Sequence, residues 1–153
     1  MIRVLLVDDE ELARMRLRVL VDECPEPKAC VVGEAGNAVQ ALAWLEAHAC
    51  DVLLLDIRMP GRDGTQLAAQ LRERTDAPAV VFVTAHTEHA LKAFDLDAID
   101  YLTKPVRRER LQAALARVAQ RLSLQAASAA SLAVEAGPVI VVSDRGRVLS
   151  VPV

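Results

Sequence analysis

The sequence predicts an open α/β fold, a parallel sheet with helices packed on both of its faces. Two observations lead to this prediction. Five short runs rich in Val, Leu and Ile lack the polar alternation of a half-exposed strand, and a longer amphipathic stretch follows each run. Strands and helices that alternate in this way form right-handed crossovers in one sheet. The predicted strands are Arg3–Val7, Cys30–Gly33, Val52–Leu55, Ala79–Val83 and Ala98–Leu102.

The helices between the strands are predicted from hydrophobic period and capping residues. They cover Glu11–Glu23, the stretch that Asn37 caps through Leu45, Gly64–Arg74, Glu88–Phe94 and Val106–Leu122. The apolar face of the first helix is expected to contain Leu12, Met15, Val19, Leu20 and, less well placed, Leu17. Its outer, solvated face is expected to carry Arg14, Arg16 and Arg18.

Composition excludes several classes of protein. The 153 residues give room for one ordinary domain and a fragment of a second. Eighteen Lys and Arg against 21 Asp and Glu leave a net charge of −3, which argues against a chain that binds nucleic acid mainly through a basic surface. No apolar run approaches the roughly 20 residues of a membrane-spanning helix. Three cysteines without close pairing are expected to be reduced thiols. From the thiols we expect a cytoplasmic protein, and from the short apolar runs one that does not bind membranes.

The composition changes after Leu122, which predicts three segments. Residues 1–122 contain the predicted α/β domain, and residues 123–136 are rich in Ala and Ser, as in a linker or a helix extension. Residues 137–153 contain two β-rich runs around a turn with Asp144 and Gly146, the pattern of a hairpin. A lone hairpin is marginal in water, so we expect it to be the start of a second domain.

Polar side chains follow four of the predicted strands directly. Asp8 and Asp9 follow the first strand, Asp56 the third, Thr84 the fourth and Lys104 the fifth. The carboxyl ends of parallel strands form the crevice where open α/β sheets bind ligands. Three carboxylates in one crevice repel each other and attract a cation, and an all-oxygen site with few protein ligands suits Mg²⁺.

This set of side chains suits a site that accepts a phosphoryl group. Asp56 is placed to act as a nucleophile toward phosphorus beside a metal held by the other acids. The ammonium of Lys104, the hydroxyl of Thr84 and nearby backbone amides would neutralise the oxygens of the resulting aspartyl phosphate. The sequence gives little sign of a pocket for a second substrate.

Four segments resemble the receiver domain of two-component response regulators: VLLVDDE (4–10), VLLLDIRMPGRDG (52–64), VFVTA (81–85) and DYLTKPV (100–106). The resemblance covers residues 1 to about 122, and it implies a flavodoxin-like, CheY-like sheet of five parallel strands in the order 2-1-3-4-5. It also implies that a sensor histidine kinase phosphorylates Asp56, and that the protein is a signalling switch and not an enzyme. In this family the first helix often contributes to kinase docking.

The resemblance further implies roles for individual residues. Asp8, Asp9, Asp56 and the backbone carbonyl of Arg58 would bind Mg²⁺, with the second acid of the pair usually a direct ligand and the first acting through water. Thr84 and Tyr101 would form the switch pair, Lys104 would contact the phosphoryl group, and the Lys104–Pro105 peptide would be cis. The positions that flank the phosphoryl group are Arg58, Ala85 and His86, and we expect bulky Arg58 and His86 to slow its hydrolysis.

Residues 137–153 resemble the opening strands of the LytTR DNA-binding domain, which makes the whole arrangement similar to AlgR-like regulators. This resemblance implies a DNA-binding domain truncated just after its start, so that only the intact protein would bind DNA and control transcription. Phosphorylation is expected to favour a homodimer through the face built from the fourth helix (88–94), the fifth strand and the fifth helix (106–122). The alternative is a stand-alone receiver that acts through protein contacts.

Two rival readings on the same fold fit less well. A phosphatase of the haloacid-dehalogenase class generally needs a second acid two residues after its nucleophile, and that position holds Arg58. A flavodoxin-type mononucleotide binder offers hydroxyls and amides to phosphate in its first loop. Asp8 and Asp9 would instead repel a phosphate there.

Overall fold

The computed structural model describes residues 1–59, 61, 63–74, 77–85 and 98–135, with side chains up to residue 127. Five strands and four helices are present in these residues. In chain order they are β1 (Ile2–Val7), α1 (Glu11–Asp22), β2 (Ala29–Ala35), α2 (Ala38–Ala47), β3 (Val52–Leu55), α3 (Gly64–Arg72), β4 (Ala79–Thr84), β5 (Asp100–Thr103) and α4 (Arg108–Glu135). Helix α4 corresponds to the fifth predicted helix, because predicted helix 88–94 lies outside the described residues.

The strands form one parallel sheet in the order β2-β1-β3-β4-β5. This is the flavodoxin-like order that the sequence predicted. The central strands β1, β3 and β4 consist almost wholly of Val, Leu and Phe82, and every residue of β3 and β4 is buried. Strands that are buried on both faces carry no polar alternation, which is the pattern that identified them.

The observed element ends differ from the predicted ends by a few residues. Strand β5 runs over Asp100–Thr103, two residues later at its start than predicted, and β2 extends through Ala35. Helix α3 ends at Arg72, two residues early, whereas α2 is capped as predicted by Asn37, whose side chain accepts the Gln40 N–H. Hydrophobic runs locate elements well, but hydrogen bonding at their ends decides the last residue.

Helix α1 is rotated relative to the prediction. The expected core residues Leu12, Met15 and Val19 are 79%, 55% and 53% exposed. The buried side chains are Leu17, Leu20 and Val21 within the helix and Cys24, two residues after its end. These four follow the i, i+3, i+4, i+7 spacing of a single helical stripe, and they include Leu17, the residue that the predicted stripe fitted least. The prediction of the buried face was therefore wrong except at Leu17 and Leu20.

The chain divides into two compact units, Met1–Ala119 and Gln120–Val153. The first unit contains the sheet, α1 to α3 and the first part of α4. In the second unit the described residues continue α4 to Glu135. Of the two alternatives for residues 123–136, a linker or a helix extension, residues 123–135 therefore form the helix that their alanine content favours. The predicted hairpin at 137–153 lies outside the described residues. Among the helices of the described residues, none is both long and apolar enough to cross a membrane.

Candidate functional site

Three carboxylates lie together at the carboxyl end of the sheet. Asp8 and Asp56 directly follow the neighbouring strands β1 and β3, whose last residues Val7 and Leu55 are paired in register. The Asp56 N–H donates to the Val7 carbonyl at 2.8 Å, which fixes the backbone of the acid. Asp8 is 1% exposed, Asp56 is 5% exposed and Asp9 is exposed, and their carboxylate oxygens lie within 4.8 Å of one another.

Lys104 reaches this acidic cluster from the loop after β5, the edge strand of the sheet. Its Nζ lies 2.7 Å from Asp8 Oδ2, 3.5 Å from Asp56 Oδ2 and 3.4 Å from Glu10 Oε1. The backbone N–H of Lys104 donates to the Thr84 carbonyl at 2.9 Å, and the Lys104–Pro105 peptide is cis. The ammonium therefore lies within reach of two buried carboxylates that come from different strands.

The charges and the burial of the cluster shift the pKa values of Asp56 and Lys104. Burial, and after it the negative charge of Asp8, raises the pKa of Asp56 from 3.8 to about 6, against the opposing effects of Lys104 and the Arg58 N–H. Burial disfavours the Lys104 ammonium, but its hydrogen bond to Asp8 and the charge of Asp56 outweigh burial and raise its pKa. One ammonium thus does not neutralise the carboxylates, and the cluster favours an added cation.

Two further predicted residues lie on the neighbouring strands. Thr84 ends β4 and is fully buried, and Tyr101 lies on β5 opposite Phe82, partly buried against the core. Ala85 follows Thr84 and is exposed. The side chain of Arg58 is exposed, while its N–H approaches Asp56 Oδ1 at 3.3 Å. His86 lies outside the described residues.

The loop after Asp56 requires glycine at position 64. A Cβ on Gly64 would lie 2.1 Å from the Asp56 carbonyl oxygen, and the Gly64 N–H donates to the Ile57 carbonyl at 2.7 Å. The constraint at this position is the close approach of the backbone and not the conformational freedom of glycine. Gly61, by contrast, has a positive φ of 79°. Asp63 then begins α3 through a capping box with Gln66.

Sequence reasoning missed three residues beside the site. Glu10 contacts Lys104, Arg14 donates to the backbone carbonyl of Asp8, and Arg16 donates to that of Val106, shortly after Lys104. Glu10 follows the acidic pair directly, so its position was a usable signal. The two arginines were expected to be solvated, and only the observed rotation of α1 brings them to the loops.

The donor set fits Mg²⁺. Carboxylate oxygens are the ligands that this ion prefers, and a site with one or two protein carboxylates leaves room for the waters it retains. After burial, repulsion by the negative charge of Asp8 is the next cause of the raised pKa of Asp56, and Lys104 only partly opposes it. A divalent cation among Asp8, Asp9 and Asp56 would relieve that repulsion.

The comparisons with known proteins agree on one family. The response regulator receiver domain matches residues 4–116. The positive alginate biosynthesis regulatory protein of Pseudomonas aeruginosa is 44% identical over 146 residues, covering 94% of this chain and 58% of that protein. The transcriptional regulatory protein BtsR of Escherichia coli is 44% identical over 125 residues, covering 82% of this chain and 51% of that protein. This chain therefore spans little more than half the length of these two curated relatives.

The fold comparison agrees. The response regulatory domain of mrkE from Klebsiella pneumoniae superimposes with a TM-score of 0.73 at 32% identity, covering 80% of this chain and 98% of that domain. The segment 4–116 that matches the family contains most of β1, all of β2 to β5 and the three acids of the cluster. With its strand order, its buried acids and this match over most of its length, the chain belongs to the response regulator receiver domain family.

Proposed function

We propose that this chain is the receiver part of a two-component response regulator and that Asp56 accepts a phosphoryl group from a sensor histidine kinase. The observation that carries the proposal is the environment of Asp56. It is a buried carboxylate at the end of β3, grouped with Asp8 and Asp9 and within 3.5 Å of the Lys104 ammonium. Such a group is shielded from bulk water, and the Lys104 ammonium, together with a cation held by the other acids, would stabilise its phosphorylated state.

The proposed transfer is an in-line displacement at phosphorus. A carboxylate oxygen of Asp56 forms the new P–O bond while the P–N bond of the kinase phosphohistidine breaks, and the imidazole leaves with the electron pair. With a pKa of about 6, Asp56 is mainly ionised at neutral pH and able to attack. Lys104 and the Thr84 hydroxyl would then contact phosphoryl oxygens.

Asp8, Asp9, Asp56 and the backbone carbonyl of Arg58 would hold Mg²⁺, which supplies positive charge to the phosphoryl oxygens when bound. Water later cleaves the phosphoaspartate, releases inorganic phosphate and restores the Asp56 carboxylate. Arg58, Ala85 and His86 would border the path of this water, and the bulk of Arg58 and His86 would slow it. The turnover is the reset of a switch, so we propose a signalling protein and not an enzyme.

The kinase would dock on α1. The side chains of Leu12, Met15 and Val19 project from this helix and are more than half exposed, and an open groove of about 770 Å³ separates Met15 and Val19 from residues 107–109. An apolar helix face of this kind suits packing against another helix.

The output would follow from Thr84 and Tyr101. Contact between Thr84 and the phosphoryl group would let Tyr101 rotate inward on β5 and change the face of predicted helix 88–94, β5 and α4. We propose that this face then forms a homodimer. In the intact cytoplasmic protein a LytTR domain beginning near residue 137 would bind DNA and control transcription. The pattern of residues 137–153 and the regulatory names and greater length of the relatives support this part.

The test combines Mg²⁺ with beryllofluoride, a mimic of the phosphorylated aspartate, and with acetyl phosphate as donor. We expect Mg²⁺-dependent addition of one phosphoryl group to the wild-type chain and none to Asp56→Asn, measured by intact mass. Light scattering with beryllofluoride measures whether a dimer forms, and Trp44 reports binding by fluorescence. Phosphorylation that persists in Asp56→Asn would contradict the assignment of the acceptor.

A further inference from the structure

The three arginines of α1 make different contacts. Arg14 Nη1 donates to the Asp8 carbonyl at 2.6 Å, and its Nε donates to Glu34 Oε1 at 2.9 Å. Arg16 Nη2 donates to the Val106 carbonyl at 3.0 Å. Arg18 instead contacts the carboxylate of Glu34, with its Nε 3.0 Å from Oε2. Two of the three guanidinium groups therefore bind backbone carbonyls.

Helix geometry explains this division. Residues two apart on an α-helix point about 200° from each other around the axis, so Arg14 and Arg16 leave α1 on opposite flanks. Residues four apart share a flank, so Arg14 and Arg18 converge on Glu34 in β2. The hydrogen bond from Arg18, against a smaller effect of burial, lowers the pKa of Glu34. A glutamate is ionised at neutral pH even without such a partner, so Glu34 still orients Arg14 when Arg18 is removed.

The two carbonyls belong to the two loops that form the site. Asp8 begins the β1–α1 loop, which supplies two of the clustered acids. Val106 follows Lys104–Pro105 in the β5–α4 loop, which supplies the ammonium. The loops meet where Lys104 Nζ lies 2.7 Å from Asp8 Oδ2. One helix thus contacts the backbone of both.

We propose that Arg14 and Arg16 are positioning residues that hold the acidic loop and the lysine loop in register for Mg²⁺ binding and phosphoryl transfer. This proposal rests on the proposed function of Asp56. A guanidinium–carbonyl bond is charge-assisted and geometrically strict, and small displacements of a reacting group reduce rates strongly. Arg14 fixes the acids and Arg16 fixes the lysine, so their removal has separable effects.

The experiment uses the 153-residue chain with Arg14→Ala, Arg16→Ala and the matched control Arg18→Ala. Mg²⁺ affinity is measured by calorimetry, and the rate of Asp56 phosphorylation is measured with acetyl phosphate at saturating Mg²⁺. A small donor bypasses kinase docking on α1, so a slower rate reports on the site itself. Thermal unfolding of each variant separates a general loss of stability from a change at the site.

We expect Arg14→Ala to weaken Mg²⁺ binding about fivefold to tenfold, since a positioning bond is charge-assisted. Arg16→Ala is expected to leave Mg²⁺ affinity within about twofold while slowing phosphorylation about tenfold, because Lys104 contributes after the metal is bound. Arg18→Ala is expected to change both within about twofold, because it makes a partly exposed ion pair. Arg16→Lys keeps one charged donor group and is expected to recover most of the rate. Arg14→Lys is not expected to recover Mg²⁺ affinity, because Arg14 bridges two acceptors.

The proposal is overturned if folded Arg14 and Arg16 variants match Arg18→Ala in both readouts. It is equally overturned if their losses simply follow their melting temperatures, which would make both residues structural. If an Ala variant does not fold, the Lys variants and Glu34→Gln, which releases the far end of Arg14, give the same comparison. A wild-type chain that binds Mg²⁺ but is not phosphorylated on Asp56 refutes the proposed function and the Arg16 part, while Mg²⁺ affinity still decides the Arg14 part.

Discussion

Neutralising Asp56 is expected to stabilise the Mg²⁺-free protein at neutral pH. Burial raises the pKa of Asp56 to about 6 from an ordinary 3.8, and each pKa unit corresponds to about 1.4 kcal/mol. The folded state therefore holds a proton on Asp56 over a pH range in which the unfolded state has lost it. Stability from this group is complete below about pH 4 and is lost as the pH rises through about 6.

The size of the effect follows from that difference. At pH 7.5 the ionised carboxylate lowers the free energy of unfolding by about 2–3 kcal/mol relative to a neutral group of the same shape. Asp56→Asn removes the charge and keeps the shape. We expect it to raise the melting temperature by roughly 5–10 °C at pH 7.5 and to have little effect near pH 4.

The assays are thermal unfolding, for the melting temperature, and urea unfolding, for the free energy, in EDTA at pH 4 and pH 7.5, with Asp51→Asn as the control. Asp51 precedes β3, at the opposite end from Asp56, and hydrogen bonds from Arg3 outweigh burial and lower its pKa. Its substitution is expected to destabilise the protein at pH 7.5, the opposite sign. A destabilising Asp56→Asn, or a gain that is the same at both pH values, would refute the electrostatic argument.

Three further outcomes are expected around the same site. Gly64→Ala should lower the free energy of unfolding by about 2–3 kcal/mol in urea titrations, because its Cβ would lie 2.1 Å from the Asp56 carbonyl oxygen. Gly61→Ala, whose Cβ would lie in open space at φ 79°, should lower the free energy of unfolding by only about 1 kcal/mol. Lys104→Met should raise the pKa of Asp56 above its present value, since the ammonium 3.5 Å away lowers it, and carboxyl NMR titration measures this. Arg58→Asn should shorten the lifetime of the phosphorylated chain, followed by intact mass, because a smaller side chain admits water; an unchanged lifetime would show that Arg58 does not shield the phosphoryl group.

The sequence predicts the sheet and the acidic cluster for one shared physical reason. A strand buried on both faces of a parallel sheet has no polar side chains, so it is recognisable without any contact information. Its carboxyl end is then fixed by the first polar residue, which is how Asp8, Asp56 and Thr84 were found. Lys104 lies two residues beyond the predicted end of the fifth strand. Their meeting in space follows from strand order, and strand order in this fold has few alternatives.

The contacts of helix side chains are harder to predict from the sequence than the ends of buried strands. The end of a strand fixes where its next residue lies, but the placement of a helix side chain depends on the rotation of the helix about its axis. Helix α1 offers two apolar stripes, one with Leu12, Met15 and Val19 and the other with Leu17, Leu20 and Val21. Their hydrophobicity is similar, so composition alone does not decide which stripe is buried.

Which stripe of α1 is buried determines more than the packing of the core. Burying Leu17, Leu20 and Val21 leaves an apolar face free for a partner, and it is the rotation at which Arg14 and Arg16 reach the carbonyls of the two site loops. With the other stripe buried, α1 would have neither property. The exposure of Leu12 is therefore not a defect of packing. The same rotation gives α1 the exposed face on which we propose that the kinase docks and the hydrogen bonds by which we propose that it positions the acids and the lysine. A kinase that shifts α1 on binding would then act on both loops at once.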